Sequence, residues 1–159
     1  MTEQPSTLVA PHGIPVCRTA DSVDELNAHW SVRHQVFVAE QQVFEGSDRD
    51  RWDSDRRTVH CVGLVNDRVV GAVRLYPVDR AGIRWQGDRL AVLPQWRSAG
   101  LGGPLVRLAV RLAGAHGGRS MQAHIQVGNV RFFEHLGWNT DGPTEVYLGI
   151  PHQPMEICW

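Results

Sequence analysis

The chain has 159 residues, 42% of them apolar and 21% charged, and a formal net charge of −1. That length and composition fit one folded domain and exclude a disordered chain, and so small a net charge excludes global electrostatic capture by nucleic acid or a membrane surface. All 16 basic residues are arginines, scattered rather than clustered, so any anion site must be local.

Three cysteines (Cys17, Cys61, Cys158) form no CxxC pair. With neither a secretion signal nor an apolar run of spanning length, the pattern predicts a cytoplasmic protein with reduced thiols. In chain order, Met1 to Gly13 mix Pro, Ser, Thr and Gln and read as a flexible tail ahead of a single domain over 14–159. Ile14 to Arg18 is a first strand. Asp21 or Ser22 caps a helix, with Glu25 near the capping-box position. Its stripe of Val23, Leu26, Trp30, Val36 and Phe37 is irregular and predicts two helical pieces. The charge run from Glu45 to Arg57 reads as a solvated loop.

Val59–Val65 and Val69–Tyr76 are β-rich runs joined by Asn66-Asp67-Arg68, a hairpin signal. A second turn near Asp79–Gly82 leads into a long strand, Ile83 to Leu93, in which Gly87 marks a bulge or a close backbone approach. Pro94 ends it. A helix follows with Leu105, Leu108, Ala109 and Leu112 at helical spacing, stopped by Gly117-Gly118. Ser120–Gln126 is a strand, Val130–Leu136 a short helix, Glu145–Ile150 a strand, and Met155–Trp159 a last strand. The order β-α-β-β-β-α-β-α-β-β predicts a mixed α/β (α+β) fold, with a central mixed sheet of about six to seven strands flanked by about four helices.

The most informative stretch runs from Arg97 through Ser98, Ala99, Gly100, Leu101 and Gly102 to Gly103, between that long strand and the helix. Glycines let main-chain N–H groups converge there, and the helix head adds about half a positive charge, which together suit a diphosphate. No Lys-Ser/Thr follows, so it is not a Walker loop, and only Gly100-Leu101-Gly102 matches the dinucleotide fingerprint.

This RxxGxG loop, together with Asn129 to Trp138, resembles the GNAT acetyltransferases. Arg33 to Gln41, the acidic residues Asp48 and Asp53 or Asp55 with His60, and Gly149-Ile150-Pro151-His152-Gln153-Pro154-Met155 resemble its ElaA-like branch. The resemblance implies an N-acetyltransferase moving acetyl from acetyl-CoA directly to a primary amine of a small molecule or peptide. No pair of histidines has HxH or HxxxH spacing backed by an acid, so no metal is expected; nor is a nucleic-acid or membrane partner, and paired protomers are usual in the family. The resemblance places Ala91, Val92 and Leu93 along the pantetheine arm, with the Val92 N–H on the thioester carbonyl. Ser98 to Gly103 and Arg97 then hold the diphosphate, and Asn129, Phe132 and Phe133 lie along the second segment. Asn129 is read first as a helix cap.

A lysine-like amine with a pKa near 10.4 costs roughly 4–5 kcal/mol to deprotonate at pH 7, so a base is expected. Glu40 is the first candidate, with an ion pair to Arg33 the competing role. Phe133 stands where many GNAT enzymes carry a tyrosine acid; His124 and His152 are the substitutes, each also readable as a structural histidine, and Tyr147 is read as sheet packing. Trp52, Trp85 and Trp96 are pocket or packing residues. Arg74 and Arg89 bind either an acidic substrate group or the acidic loop, and that loop in turn favours a cationic acceptor. Arg33-xx-Val36-Phe37 with Asp50, Asp53 and Arg74–Pro77 also resembles acyl-homoserine-lactone synthases. A second alternative is a CoA-binding domain without catalysis.

Overall fold

A computed structural model describes residues 13–159; the expected tail lies outside the described residues except for Gly13. Strand β1 (Val16–Thr19) leads to helix α1 (Val23–Arg33), where Ser22 Oγ accepts the Glu25 N–H at 3.1 Å. The helix then widens into a π-helical segment, His34–Glu40, which is the second helical piece that the irregular stripe predicts. Strands β2 (Val59–Val65) and β3 (Arg68–Pro77) are joined by Asn66 and Asp67 alone. Their φ values of 50° and 62° are tolerated by these two residue types and match the twist of a tight hairpin. Strand β4 (Arg84–Val92), a short turn at Pro94–Ala99, helix α2 (Gly102–Ala115) and strand β5 (Ser120–Gln126) follow. Helix α3 (Val130–His135) and strands β6 (Asn139–Thr140), β7 (Glu145–Tyr147) and β8 (Ile150–Cys158) complete the fold.

The sheet order is β1-β2-β3-β4-β5-β8-β6, with β7 also on β8. The expected order holds, with one short extra strand. The last strand begins at Ile150, five residues before the expected Met155, and so takes the Ile150–Met155 motif into the sheet. Leu101 at the head of α2 and Leu105, Leu108 and Ala109 within it are buried in one cluster with Cys61, Val73 and Leu75 of the sheet. Each such leucine withdrawn from water contributes about 1.5–3 kcal/mol.

Every sheet pairing is antiparallel except β4 with β5, and that one covers only Arg84–Gln86 against Ser120–Gln122. Gln122 Nε2 donates to Gln86 Oε1 at 3.1 Å on the last rung; beyond it the two strands part. Gly87 lies at this fork, where a Cβ would stand 2.9 Å from Met121 Sδ. The glycine therefore serves close approach. The bulge falls further on: β4 has one extra residue between its Ala72 and Arg74 partners, and Arg89 has φ 53°.

The charge run after Glu45 is exposed along most of its length, as its composition suggests, but the Asp48 and Asp53 carboxylates turn inward. Asp48 is 2% exposed, and its carboxylate accepts from Arg33 Nε at 2.7 Å and Arg89 Nε at 3.2 Å. Asp53 accepts from Arg33 at 2.7 Å, Arg74 at 3.1 Å and His60 at 2.9 Å. Arg74 forks onto both Asp88 oxygens at 2.8 and 2.7 Å and reaches Asp50 at 2.7 Å. Local composition could not reveal this, because the three arginines come from α1, β3 and β4. Beside them the fully buried His29 donates from Nδ1 to the Cys61 carbonyl at 2.8 Å and takes Arg33 Nη1 at 3.2 Å on Nε2.

Removing one partner of such a cluster leaves charges buried and unpaired. Arg74→Met should lower unfolding free energy by about 3–5 kcal/mol in urea titrations; a loss under 1 kcal/mol would show that the cluster does not brace the sheet. Burial pushes the His29 pKa down to about 3. The unfolded chain therefore binds a proton near pH 6.5 that the folded chain refuses until about pH 3. This contribution is complete above pH 6.5 and falls away as the pH drops toward 3, by roughly 2 kcal/mol at pH 5. His29→Gln, which keeps a donor and an acceptor, should flatten the fall of Tm between pH 7 and pH 5.

Candidate active site

Where β4 and β5 part, the cleft has two connected compartments. A groove of about 810 Å³ runs over Leu90–Val92, Arg97, Gly100, Gly102–Pro104, Arg107 and α3. A cavity of about 280 Å³ continues through the sheet between Phe37, Phe44, Tyr76 and Asp88 on one side and Val106, Ala109, Phe133 and Trp138 on the other. Gln41, Leu90, Gln126, Asn129 and Phe133 line both and form the passage between them.

Strand β4 offers main-chain groups to this cleft. The Leu93 N–H donates to the Val70 carbonyl at 2.9 Å, toward β3. Alternation along a strand then turns the Val92 N–H and C=O the other way, into the parting. The Val92 carbonyl accepts Arg97 Nε at 3.1 Å. At the head of α2 the first intrahelical bond is Leu105 N–H to the Leu101 carbonyl. The N–H groups of Gly102 and Gly103 therefore have no partner within the helix, and Pro104 has none to offer. Gly100, at φ 77°, takes the left-handed turn that aims the loop, and a Cβ on Gly102 would press to 3.3 Å from the Phe132 ring.

Of the expected coenzyme residues, Ala91, Val92, Arg97, Gly100, Gly102, Gly103, Asn129, Phe132 and Phe133 meet at the groove, whereas Leu93, Ser98, Ala99 and Leu101 do not line it. Leu93 and Leu101 are core side chains. Asn129 precedes α3 but makes no cap hydrogen bond, which corrects its expected role and leaves its amide to the passage. Arg107 was missed; it follows Gly103 by one helical turn on the same face, a spacing that could have found it.

Glu40 is paired with Arg97, at 2.7 and 2.5 Å, and not with Arg33. The Arg97 guanidinium holds its carboxyl below the usual range. Phe133 is buried, edge-on to Phe132 and Trp138, and lines both compartments. His124, Tyr147 and His152 gather at the cavity: Tyr147 stacks on His124 at 4.9 Å and meets His152 edge-on at 5.2 Å. Tyr147 is thus a wall residue rather than plain sheet packing. His124 Nδ1 sits 2.8 Å from Glu145 Oε1. His152 Nδ1 lies 2.8 Å from the Ile150 carbonyl; a carbonyl only accepts, so this nitrogen carries the proton and Nε2 is left as the acceptor.

Arg74 and Arg89 serve the acidic loop, and that loop's carboxylates, held by arginines, do not line the cavity, which removes the expected reason to favour a cationic acceptor. Trp52 stacks on Tyr76, Trp85 bonds the Gly82 carbonyl, Trp96 lies under Arg68, and none of the three lines either compartment. Among the described residues no group of three or more His, Cys, Asp or Glu could hold a metal, and no helix is long and apolar enough to cross a membrane.

Comparison with known proteins agrees with this geometry. The uncharacterized N-acetyltransferase YjcF of Bacillus subtilis is 29% identical over 137 residues, covering 86% of this chain and 94% of YjcF. The crystal structure of Escherichia coli ElaA superposes with a TM-score of 0.77 at 23% identity, over 89% of this chain and 97% of that one. The CoA-dependent acyl-homoserine lactone synthase BjaI, with SAM and isopentyl-CoA, gives 0.72 at 20% identity, over 85% and 76%. The model of the acetyltransferase (GNAT) family matches residues 23–138, and the chain belongs to that family.

Proposed function

We propose that the chain transfers an acyl group from a coenzyme A thioester directly to a primary amine, acetyl being the smallest donor. The observation that carries this reading is one cleft containing both unclaimed N–H groups at the head of α2 and an unpaired edge of β4. The Gly102 and Gly103 amides, with Ser98 to Leu101 behind them and Arg97 and Arg107 as counter-charges, take the diphosphate. Pantetheine runs past Ala91 and pairs with the Val92 peptide on the open edge, against Asn129 and Phe132. The Val92 N–H donates to the thioester oxygen, a type of contact that typically lowers the barrier by about 3–4 kcal/mol.

The amine nitrogen attacks the thioester carbon, the C–S bond breaks, and the amide and the free thiol of coenzyme A are formed. One proton leaves the amine and one reaches the sulfur. His152 is the base, because its Nε2 is an acceptor at the cavity. His124, oriented by Glu145, stands beside it. Glu40 acts on the coenzyme side, through Arg97. The acceptor is a small-molecule or peptide amine.

Incubation with acetyl-CoA and a panel of amines should release free thiol and yield an amide visible by mass spectrometry; coenzyme binding without thiol release across the panel would favour a non-catalytic domain, which the lack of a hydroxyl at Phe133 allows. His152→Ala should lower kcat by about 10²–10⁴, and an unchanged kcat would acquit it. Because Glu40 and the diphosphate compete for one guanidinium, Glu40→Gln should bind coenzyme A about two- to fivefold more tightly in calorimetry, whereas weaker binding would mean that Glu40 merely positions Arg97.

A further inference from the structure

The cavity is larger and greasier than an acetyl group requires. On β5 the side chains alternate: Met121, Ala123 and Ile125 are buried on one face, while Gln122, His124 and Gln126 point to the other. Histidines His124 and His152 and the Tyr147 ring occupy the second face. On the first face Met121, Ala123 and Ile125 share one buried cluster with Val106 and Ala109 of α2 and with Val73, which alternation turns away from its neighbour Arg74. All of these residues except Gln122 and Arg74 line the same cavity. It therefore crosses the sheet through the parted strands, with a polar mouth where an amine can be deprotonated and an apolar floor against α2. Between mouth and floor lies the passage to the coenzyme groove, at Leu90 and Phe133.

We propose that the donor carries an acyl chain longer than acetyl, of about four to six carbons, extended into the apolar floor. This rests on the coenzyme reading above and names its substrate class. A dry cavity of roughly 150 Å³ already holds a six-carbon ring, and this one is about 280 Å³. An acetyl group, with two carbons, leaves the floor empty. A chain of six carbons fills the floor and leaves space at the mouth for the attacking nitrogen. The floor has no use for the acceptor: a polar amine seated there would lose its water without gaining a partner, since Val106, Ala109, Met121 and Ile125 offer no acceptor. The continuity of floor and groove commits the space to whatever is attached to the coenzyme's sulfur.

The test requires no acceptor. Coenzyme A, acetyl-CoA, butanoyl-CoA and hexanoyl-CoA are titrated into the full chain by calorimetry. All share the same coenzyme, so differences isolate the chain. Each methylene drawn from water is worth up to about fourfold in affinity, and hexanoyl-CoA should bind at least about tenfold more tightly than acetyl-CoA. Ala109→Leu, which fills the floor from α2, should erase most of that advantage; if this variant does not fold, the wild-type series decides alone. Equal or weaker binding of hexanoyl-CoA, beside ordinary binding of coenzyme A, would overturn the chain length and leave the coenzyme reading intact. No binding of coenzyme A or any thioester would remove the coenzyme reading, and this inference with it.

Discussion

The separation of β4 from β5 after the Gln86–Gln122 rung governs the rest of the molecule. A sheet interior normally consumes its peptide groups, and leaving them unpaired inside a fold is costly unless something else arrives to take them. Here the separation is built by covalent and steric means. Gly87 lets β4 press on Met121 at the fork, and the extra residue with Arg89 in the left-handed region then turns the strand off its parallel course. From the same break come the groove, the cavity through the sheet and the outward-facing Val92 peptide. The loop after Val92 delivers the α2 head to the groove, so the two sets of free N–H groups share one opening.

A broken sheet needs a brace, and the buried ionic cluster is placed to be one. Arg33, Arg74 and Arg89 reach from α1, β3 and β4 to the same short stretch of aspartates. Ion pairs of this depth add little net stability, since the cost of removing the charges from water offsets most of their attraction. What they supply is direction. A guanidinium fork donates to carboxylates in its own plane, and Arg74 grips Asp88 with two parallel bonds. Asp88 and Arg89 both line the cavity, so the cluster fixes the wall of the site through the strand that carries its bulge.

The sequence discloses whatever is encoded within a few residues. Ser22 with Glu25, Asn66 with Asp67, and Gly100 with Gly102 each specify a local backbone geometry, and each appears where its chemistry predicts. Arg97 pairing with Glu40 across 57 positions, or Arg89 with Asp48 across 41, leaves no local trace, because an arginine amid aspartates looks the same whether solvent or another strand completes it. The bulge was hidden for a related reason: glycine at 87 advertises conformational freedom, yet the residue that adopts the left-handed conformation is Arg89, held there by the anchoring of its side chain. The C-terminal strand extends back beyond the expected Met155 start: β8 accommodates Pro151 and Pro154 as it pairs along β5 on one side and with the short β6 and β7 on the other.

Phe133 poses the remaining chemical question, and relative acidities answer it within the proposed reaction. A free thiol ionises near pH 8.5, whereas an alkyl amine holds its proton to about 10.4. Near neutral pH the departing sulfur is close to its own pKa and tolerates leaving as thiolate, so an acid beside it contributes little. The attacking amine is more than three units from its neutral form, and that is the step that needs a group in the protein. A site built around phenylalanine at 133 can therefore dispense with the acid, provided that it keeps a base on the acceptor side. His152, with one nitrogen committed to the Ile150 carbonyl and the other left to accept, meets that requirement where Glu40, held by Arg97, does not.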